Sequence, residues 1–439
     1  MRLVFLGNCQ LMVLCQIYRT FVIPHSGDEC RYIGFPGTLD ETARQAIETA
    51  DVIVEQFADF RAAADLDGLS TRARRMKVPV VGAPFLWPFA GSGHPESVSR
   101  YGRYDPFRPE MGDTYLNKLL LAGVTAEAAK QKYLVLDVPR EVNLDRRYEL
   151  LMESQRSRDQ ASGYRTADLI ERYFRDEQLF LTPYHPTLRV SHYMAITFLE
   201  DLGAPTAAVE NVRTLMTDSF YFRFALPIHP TVGRHFKLSY VDENSLYPFH
   251  DEGPVSFADF VDRYVRCAAN GALYDAMACV ARGETEATQR LEQALVDSPR
   301  SALGWNLLAR ARILENRHAE AAPLLHKALA IDPGLQWAHF HLHQCHLRAG
   351  ALDEAIAEVN AEIALRPSNP AIYQCLSQLL ERTGRLQEAA DALRHAVALA
   401  PRTLGKTLRW RMTRARRRRI RLSGLISALS RSCGGSCSG

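Results

Sequence analysis

Residues 2–10 read RLVFLGNCQ, an apolar run that ends at a glycine and continues with small and polar side chains. The run Arg2–Leu6 predicts a β-strand, and the stretch Leu11–Phe21 behind it predicts a helix. Gly7 permits the tight turn between the two. In an open parallel sheet, ligands bind at the carboxyl ends of strands, and the N-terminus of the next helix favours an anion. This turn is therefore the first candidate site.

Cys9 lies in that turn. The N-terminus of a helix stabilises a thiolate, so Cys9 is a candidate nucleophile or the neighbour of one. The alternative is that Cys9 is a small buried residue and that Asn8 only caps the helix. The residues leave both interpretations open.

Further along the chain, short β-branched runs at Val52–Val54 and Val78–Val81 flank a helical stretch, Glu41–Ala50. This alternation predicts a small parallel α/β unit over about the first 100 residues. The next part is mainly helical and has loops rich in Pro, Gly and Tyr, where function often lies. Its predicted helices are Leu116–Lys132, Leu144–Gln155, Thr166–Arg175 and Ser191–Leu202.

The motif Gly7-Asn8-Cys9-Gln10 behind an N-terminal strand resembles the opening of the WcbI family of polysaccharide-biosynthesis proteins. The resemblance spans about residues 1–267. Further matches follow in order along the chain: Val78–Pro84, Phe85–Phe89 with Trp87, His94-Pro95, Tyr115 with Asn117, and Leu179–Pro186.

The resemblance implies a domain that binds coenzyme A and acts as an acetyltransferase on capsular polysaccharide. The start of such a domain is similar to the SGNH hydrolases, which open with a Gly-Asp-Ser block. Cys9 falls where their serine nucleophile would lie, which argues against simple esterase activity.

His185 is the candidate general base. A histidine titrates in the range needed to take a proton from a sugar hydroxyl, and such assistance contributes roughly 10²–10⁴ in rate. The alternative is a histidine whose ring only satisfies a buried hydrogen bond. His94 and His229, each also followed by proline, are weaker candidates.

Two mechanisms fit these residues. In the direct one, His185 deprotonates the acceptor while N–H groups near Asn8–Gln10 stabilise the oxyanion. In the double-displacement one, Cys9 first takes the acetyl group and then passes it on.

The coenzyme A contacts that we expect involve the turn and three residues outside it. Gly7, Asn8 and Gln10 present the helix N-terminus, and Lys118 and Arg158 are the candidate partners of the phosphates. Trp87 is a candidate for stacking on the adenine, although an aromatic residue in an apolar loop is commonly a core residue.

The C-terminal third contains a repeat of 34 residues. Two small positions recur in it, and the second holds Glu362 in the third unit instead of alanine. This period and pattern resemble the tetratricopeptide repeat, a pair of helices whose stacked copies form a groove for a protein partner. We assign residues 268–403 to one degenerate and three regular repeats. The residues in phase are Pro299, Pro333, Pro367 and Pro401, then Ala287, Ala321, Ala355 and Ala389, then Ala294, Ala328 and Ala396.

The remaining segment, residues 404–439, is strongly basic. Of the 53 Lys and Arg residues in the chain, 11 lie from Arg402 onward, where no Asp or Glu occurs, so the rest of the chain is net acidic. Leu422, Leu425, Ile426 and Leu429 add a narrow apolar stripe, which suits an anionic membrane surface. A capping helix followed by a disordered end is the alternative, and the acidic body disfavours nucleic acid.

Composition narrows the class of protein further. No apolar run reaches the length of a membrane-spanning helix, and nine cysteines without a CxxC pair do not predict a disulfide framework or a zinc site. His339, His341 and His343 fan across different faces of a helix, so we expect no metal. We expect a cytoplasmic protein, or one at the inner face of the membrane.

The sequence thus predicts a coenzyme A-dependent O-acetyltransferase with an α/β start, a helical extension and an α-solenoid of repeats. Its acceptor would be a polysaccharide or a sugar nucleotide. A non-catalytic adaptor and a carbohydrate esterase are the alternative functions.

Overall fold

The computed structural model describes residues 1–34, 39–57, 72–97, 112–217, 225–249, 253–268, 271–284 and 286–402. The predicted tail, residues 404–439, lies outside them. The strands are β1 (Arg2–Gly7), β2 (Glu29–Gly34), β3 (Val52–Phe57), β4 (Arg74–Pro79), β5 (Ala90–Gly91), β6 (Gly112–Asp113), β7 (Phe180–Thr182), β8 (His185–Pro186), β9 (Leu246–Pro248) and β10 (Pro254–Ser256).

The helices of the N-terminal part, which we call the head, surround the sheet. They are α1 (Cys9–Phe21), α2 (Ile23–Ser26), α3 (Glu41–Glu48), α4 (Thr114–Leu121), α5 (Ala126–Leu134), α6 (Val138–Glu141), α7 (Leu144–Ser162), α8 (Thr166–Tyr173), α9 (Leu188–Leu202), α10 (Thr206–Leu215), α11 (Pro230–Phe236) and α12 (Phe257–Val265).

Four parallel strands form the main sheet in the order β2-β1-β3-β4. The chain runs from β1 to β2 on one side and then crosses to β3 on the other. The crevice between the carboxyl ends of β1 and β3 is therefore a topological switch point, the usual ligand position in such sheets. Phe5 on β1 packs against Tyr18 of α1 and Phe198 of α9, with ring centroids 5.8 and 5.6 Å apart. These contacts fix α1 and α9 over one face of the sheet.

The predicted α/β start and helical extension are confirmed, but several boundaries differ. The strand predicted at Val78–Val81 begins at Arg74, and the edge strand β2 was not predicted. The helix predicted over Leu116–Lys132 is two helices, because the chain turns at Gly123 with a positive φ of 77°. A glycine adopts that conformation without the strain that a side chain would add.

Four helix pairs follow the head. Their helices are α13 (Gly271–Arg282), α14 (Ala287–Asp297), α15 (Ala302–Leu314), α16 (His318–Ile331), α17 (Ala338–Ala349), α18 (Leu352–Leu365), α19 (Pro370–Arg382) and α20 (Leu386–Leu399).

The small residues of the 34-residue period are buried between these helices. Ala321, Ala355 and Ala389 have no exposed surface, and Ala287 has almost none. Small side chains let neighbouring helices approach closely, which explains why the period is visible in the sequence. The buried core of the head extends to Cys267, and a separate cluster begins at Leu273. None of the helices in the described ranges is both long and apolar enough to cross a membrane.

Candidate functional site

Cys9 and His185 lie next to each other, although 176 residues separate them in the sequence. Cys9 is the first residue of α1, which Asn8 caps through a 2.8 Å bond from the Gln10 N–H to the Asn8 Oδ1. His185 begins β8, and its Nε2 lies 3.5 Å from the Cys9 Sγ. The structure thus brings together the two residues that the sequence predicted as catalytic. A thiol in contact with an imidazole at a helix N-terminus is the usual arrangement of an activated cysteine.

Thr182 positions the imidazole. Its Oγ1 lies 2.6 Å from the His185 Nδ1, across the β7–β8 hairpin where the two residues pair. If Nδ1 carries a proton and donates it to Thr182, then Nε2 is free to accept the thiol proton of Cys9. Thr182 lies in a segment that carries part of the family resemblance, but its role was not predicted. A threonine three residues before a candidate histidine has no sequence pattern of its own.

The side chain of Gln10 ties several loops together at the switch point. Its Nε2 donates to the Val81 and Tyr184 carbonyls, 2.7 Å each, and its Oε1 accepts from the Val81 N–H and the Gln56 Nε2. Gln10 thus joins the ends of β3 and β4 to the hairpin that carries His185. In the same cluster, the Asn8 N–H donates to the Gln56 Oε1.

The hydrogen bonds of Asn8 and Gln10 affect the coenzyme A contacts that the sequence predicted for this turn. Because the N–H groups of Asn8 and Gln10 and the Gln10 amide bond to protein groups, their direct role in the structure is to hold the turn. Gly7 is constrained by the same cluster: a Cβ there would lie 2.7 Å from the Gln56 Cβ. The cofactor contacts of Gly7, Asn8 and Gln10 stay predictions.

A pocket opens beside the thiol and the imidazole. Its empty space is about 560 Å³, including the part open to solvent. The walls are largely apolar and come from α1, β4, the β7–β8 hairpin and α9, and they end at the Cys9 and His185 side chains. The lining includes Val13, Leu14, Ile17, Val78, Leu181 and Met194.

The other predicted cofactor residues lie elsewhere. Lys118 is exposed on α4. Arg158 is buried, and its guanidinium donates to the Val80 carbonyl at 3.0 Å and to the Ser154 hydroxyl at 2.7 Å. It therefore braces the loop after β4 from inside the protein. Trp87 is also buried, and its Nε1 donates to the Leu226 carbonyl at 3.2 Å.

Trp87 lines a second pocket, which is rich in aromatic residues and holds Asp113, Tyr133 and His229. The Tyr133 hydroxyl donates to the Asp113 carboxyl, and the His229 Nε2 lies 3.0 Å from the Tyr133 carbonyl. Burial raises the pKa of Asp113 to about 6 and lowers the pKa of His229. His229 therefore belongs to this pocket. His94 contacts the ring of Tyr264, which also lines it.

Two further thiols lie close together in the head. The Sγ atoms of Cys15 on α1 and Cys30 on β2 are 3.5 Å apart. The hydrogen bond with Cys15 and then the Arg19 guanidinium lower the pKa of Cys30 to about 7, despite the opposing effect of burial. Cys9, Cys15 and Cys30 form no disulfide with any residue in the described part of the chain.

The histidines of the third repeat bond to neighbouring helices. His339 pairs with Glu358 at 2.6 Å, and the His341 Nδ1 lies 2.9 Å from the Asn306 Oδ1. Within the described ranges, no group of three or more His, Cys, Asp or Glu side chains is arranged to hold a metal ion.

Models of known protein families match both the head and the repeats. Residues 2–207 match the family model described as polysaccharide biosynthesis enzyme WcbI. Residues 285–335 and 346–402 match one model of the tetratricopeptide repeat, and residues 312–361 match another. The two resemblances inferred from the sequence are thus confirmed: a segment that matches the WcbI model is followed by segments that match the tetratricopeptide repeat.

The solved structures similar to this chain include several of MamA. One whose title names AMB-1 is 27% identical and covers 29% of this chain and 76% of that chain, with a TM-score of 0.28. Another, titled crystal structure of MamA, is 20% identical and covers 34% of this chain and 91% of that chain, with a TM-score of 0.29. No curated protein matches the chain.

Proposed function

We propose that the head is a coenzyme A-dependent O-acyltransferase that modifies a polysaccharide or its sugar-nucleotide precursor, and that the repeats recruit a protein partner. The observation that carries this proposal is the 3.5 Å contact between the Cys9 Sγ and the His185 Nε2 at the switch point. The polysaccharide comes from the description of the matching family.

The character of the pocket beside Cys9 and His185 supports binding of the thioester end of acetyl-coenzyme A. Its apolar walls suit the narrow pantetheine arm, and they lead to the thiol and imidazole that acyl transfer requires. The side chains of Trp87 and Arg158 are buried and hydrogen-bond to protein carbonyls. Of the residues predicted to contact the adenine or the phosphates, Lys118 is the exposed cation, so it is the candidate partner of a phosphate.

The Cys9–His185 contact supports double displacement. His185 Nε2 takes the thiol proton of Cys9, and the thiolate attacks the thioester carbonyl. The bond from the acyl carbon to the coenzyme A sulfur breaks, and His185 gives the proton to the departing coenzyme A thiolate. His185 then takes the proton of the acceptor hydroxyl while the hydroxyl oxygen attacks the acyl carbonyl on Cys9. That attack breaks the S–C bond, and the Cys9 sulfur recovers the proton. Thr182 holds the imidazole for both steps.

A thermal-shift titration of the full chain tests this proposal, with coenzyme A and acetyl-coenzyme A as ligands and with ATP and NAD as controls. A ligand at about 100 times its Kd stabilises the folded state by about 2.7 kcal/mol, which is readily measured. A shift with both coenzyme A forms and none with the controls is expected. No shift with any ligand would contradict the proposal and favour an adaptor without catalysis. Release of acetate from an acetylated sugar without coenzyme A would favour an esterase.

We also propose that the basic tail places the enzyme at an anionic membrane surface on the cytoplasmic side. The 11 basic residues from Arg402 onward and the apolar stripe at 422–429 support this. Each basic residue contributes about 1 kcal/mol near such a surface.

A further inference from the structure

A large groove lies between the second and third repeats and is closed on one side by the head. Its empty space is about 2140 Å³, including the part open to solvent. The walls are α15, α17 and the segment before α17, and the third side is the β9–β10 hairpin with Pro248 and Pro254. Arg300 of the repeats contacts the hairpin: its Nη2 donates a hydrogen bond to the Pro254 carbonyl at 3.2 Å. The groove is thus formed by the head and the repeats together.

Trp337 lines this groove and has an unusual backbone conformation. It precedes α17 with a φ of 68°, in the left-handed region that a bulky side chain rarely adopts. Its side chain is nevertheless 41% exposed, although it is large and apolar. Strained residues are kept where the surroundings fix them, and they concentrate at functional sites.

Trp337 is held in place by Glu362, the residue that departs from the repeat pattern, and by Arg366, which pairs with Glu362. Glu362 stands where the other repeats have alanine, has no exposed surface, and pairs with Arg366. Its carboxylate accepts the N–H groups of Trp337 and Phe340, at 3.4 and 3.1 Å. The Arg366 guanidinium covers the Trp337 ring, 3.3 Å from the ring centroid. The substituted residue thus positions the exposed indole.

The lining of the groove holds one basic residue, Arg310, and one acidic residue, Asp332. Arg310 on α15 is exposed and makes no ion pair with any residue in the described part of the chain. Asp332, the acidic residue of the lining, accepts the Gly334 N–H at 3.1 Å in its own turn. Burial, and then the positive charge of Arg310, lower the pKa of the neighbouring His341 to about 4, so that this ring is neutral at pH 7. A carboxylate is the group that complements Arg310.

We propose that this groove binds an extended peptide of a partner protein, with an aromatic or aliphatic side chain on Trp337 and an acidic side chain paired with Arg310. Tryptophan and arginine are the residues that most commonly dominate the binding energy of an interface. This inference rests on the recruitment role proposed for the repeats and gives the chemistry of the partner. It does not depend on coenzyme A binding in the head.

The probe is a random dodecapeptide library displayed on phage and selected on the immobilised full chain. Selected peptides are expected to combine Asp or Glu with an aromatic or aliphatic residue. The affinity of a synthetic copy of the most enriched peptide is then measured by fluorescence polarisation. Arg310→Glu and Trp337→Ala should each weaken it by about tenfold or more.

Arg382→Glu is the matched control, because Arg382 is an exposed arginine of the repeats outside the groove. It should leave the peptide affinity unchanged. Circular dichroism of each variant shows whether it is folded. The inference is overturned if selected peptides lack the acidic and apolar pattern, if selection enriches none, or if folded Arg310→Glu and Trp337→Ala bind as the parent does. If those variants keep the thermal shift with coenzyme A, the loss of peptide binding is separate from any failure of the proposed enzyme activity.

Discussion

At the scale of single residues, the two side chains of the candidate catalytic pair come from distant parts of the head's sequence. Cys9 is placed by the first turn of α1, and His185 by a hairpin that Thr182 and Gln10 hold in place. Both residues lie in regular secondary structure, Cys9 in α1 and His185 in β8. Each residue can therefore be tested by a substitution that leaves the others in position.

Cys9→Ala should lower the consumption of acetyl-coenzyme A by at least about 10³-fold, because it removes the nucleophile of the double displacement. Cys9→Ser keeps a weaker nucleophile and should accumulate an acetylated enzyme. Intact-mass spectrometry of the parent, quenched after mixing with acetyl-coenzyme A, should show one added acetyl group on Cys9. Unchanged turnover in Cys9→Ala would exclude the acyl-cysteine and leave the direct mechanism.

Thr182→Val should lower kcat by about tenfold or more with little change in KM, because the imidazole loses the partner of its Nδ1 and is less often oriented toward Cys9. Thr182→Ser restores the hydroxyl and should restore both kcat and the pH profile of kcat. A role in packing would give the opposite pattern: Thr182→Val would behave as the parent, and Thr182→Ser would be the damaged variant.

At the scale of elements, two helices depend on buried carboxylates. Asp113 caps α4 by accepting the Leu116 N–H at 2.9 Å, and Glu362 binds the first N–H groups of α17. In both places the carboxylate lies where a helix N-terminus favours negative charge. They differ in their partners, because Asp113 faces the Tyr133 hydroxyl and Glu362 faces the Arg366 guanidinium.

Asp113 should make the stability of the head depend on pH. Burial raises its pKa from 3.8 to about 6, so the folded protein favours the protonated carboxyl. Its contribution is present in full below about pH 4 and is lost as the pH rises through 6, which lowers the free energy of unfolding by about 3 kcal/mol in all and by about 2 kcal/mol between pH 4.5 and 7. Asp113→Asn keeps the cap and should remove this component. Denaturant unfolding at pH 4.5 and 7 measures the difference, and an equal pH dependence in both proteins would contradict it.

Glu362→Ala, which restores the small residue of the other repeats, should destabilise the repeats by about 3 kcal/mol because it leaves the buried Arg366 without its partner. Glu362→Gln should cost less, since its amide oxygen still accepts from α17. The double variant Glu362→Ala with Arg366→Leu should recover much of the loss. Denaturant unfolding checks the series, with Glu354→Ala, an exposed glutamate of the same helix, expected within about 0.5 kcal/mol of the parent. Stability equal to the parent's in Glu362→Ala would show that the pair does not support α17.

Prediction from the sequence succeeded where the signal was local or periodic. The 34-residue period followed from buried alanines, and the strand and helix around Gly7 followed from one apolar pattern. The edge strand β2 was missed because it is short and lacks the run of β-branched residues that marks β3, although Glu29 to Tyr32 alternate polar and apolar side chains. Thr182 and Gln56 were missed because their roles arise from contacts between distant segments, which no local pattern contains.

At the scale of the whole molecule, the basic tail should decide whether the protein binds membranes. The full chain is expected to sediment with vesicles of anionic phospholipid and to remain in solution with neutral ones. Truncation after residue 403 should abolish sedimentation, because the acidic body that remains is repelled by the same surface. High salt should weaken sedimentation of the full chain. Equal sedimentation of the truncated protein would remove the membrane hypothesis.

The close pair of thiols in the head affects how the activity can be assayed. Acyl transfer from coenzyme A is commonly followed with reagents that change colour when they react with a thiol, and the described part of this chain has seven cysteines outside disulfides. The hydrogen bond with Cys15 lowers the pKa of Cys30 to about 7, which favours its thiolate, and the thiolate is the form that reacts. The protein would therefore consume part of the reagent itself. Detection of the modified sugar, or a protein with Cys30 replaced by serine, would separate product from background.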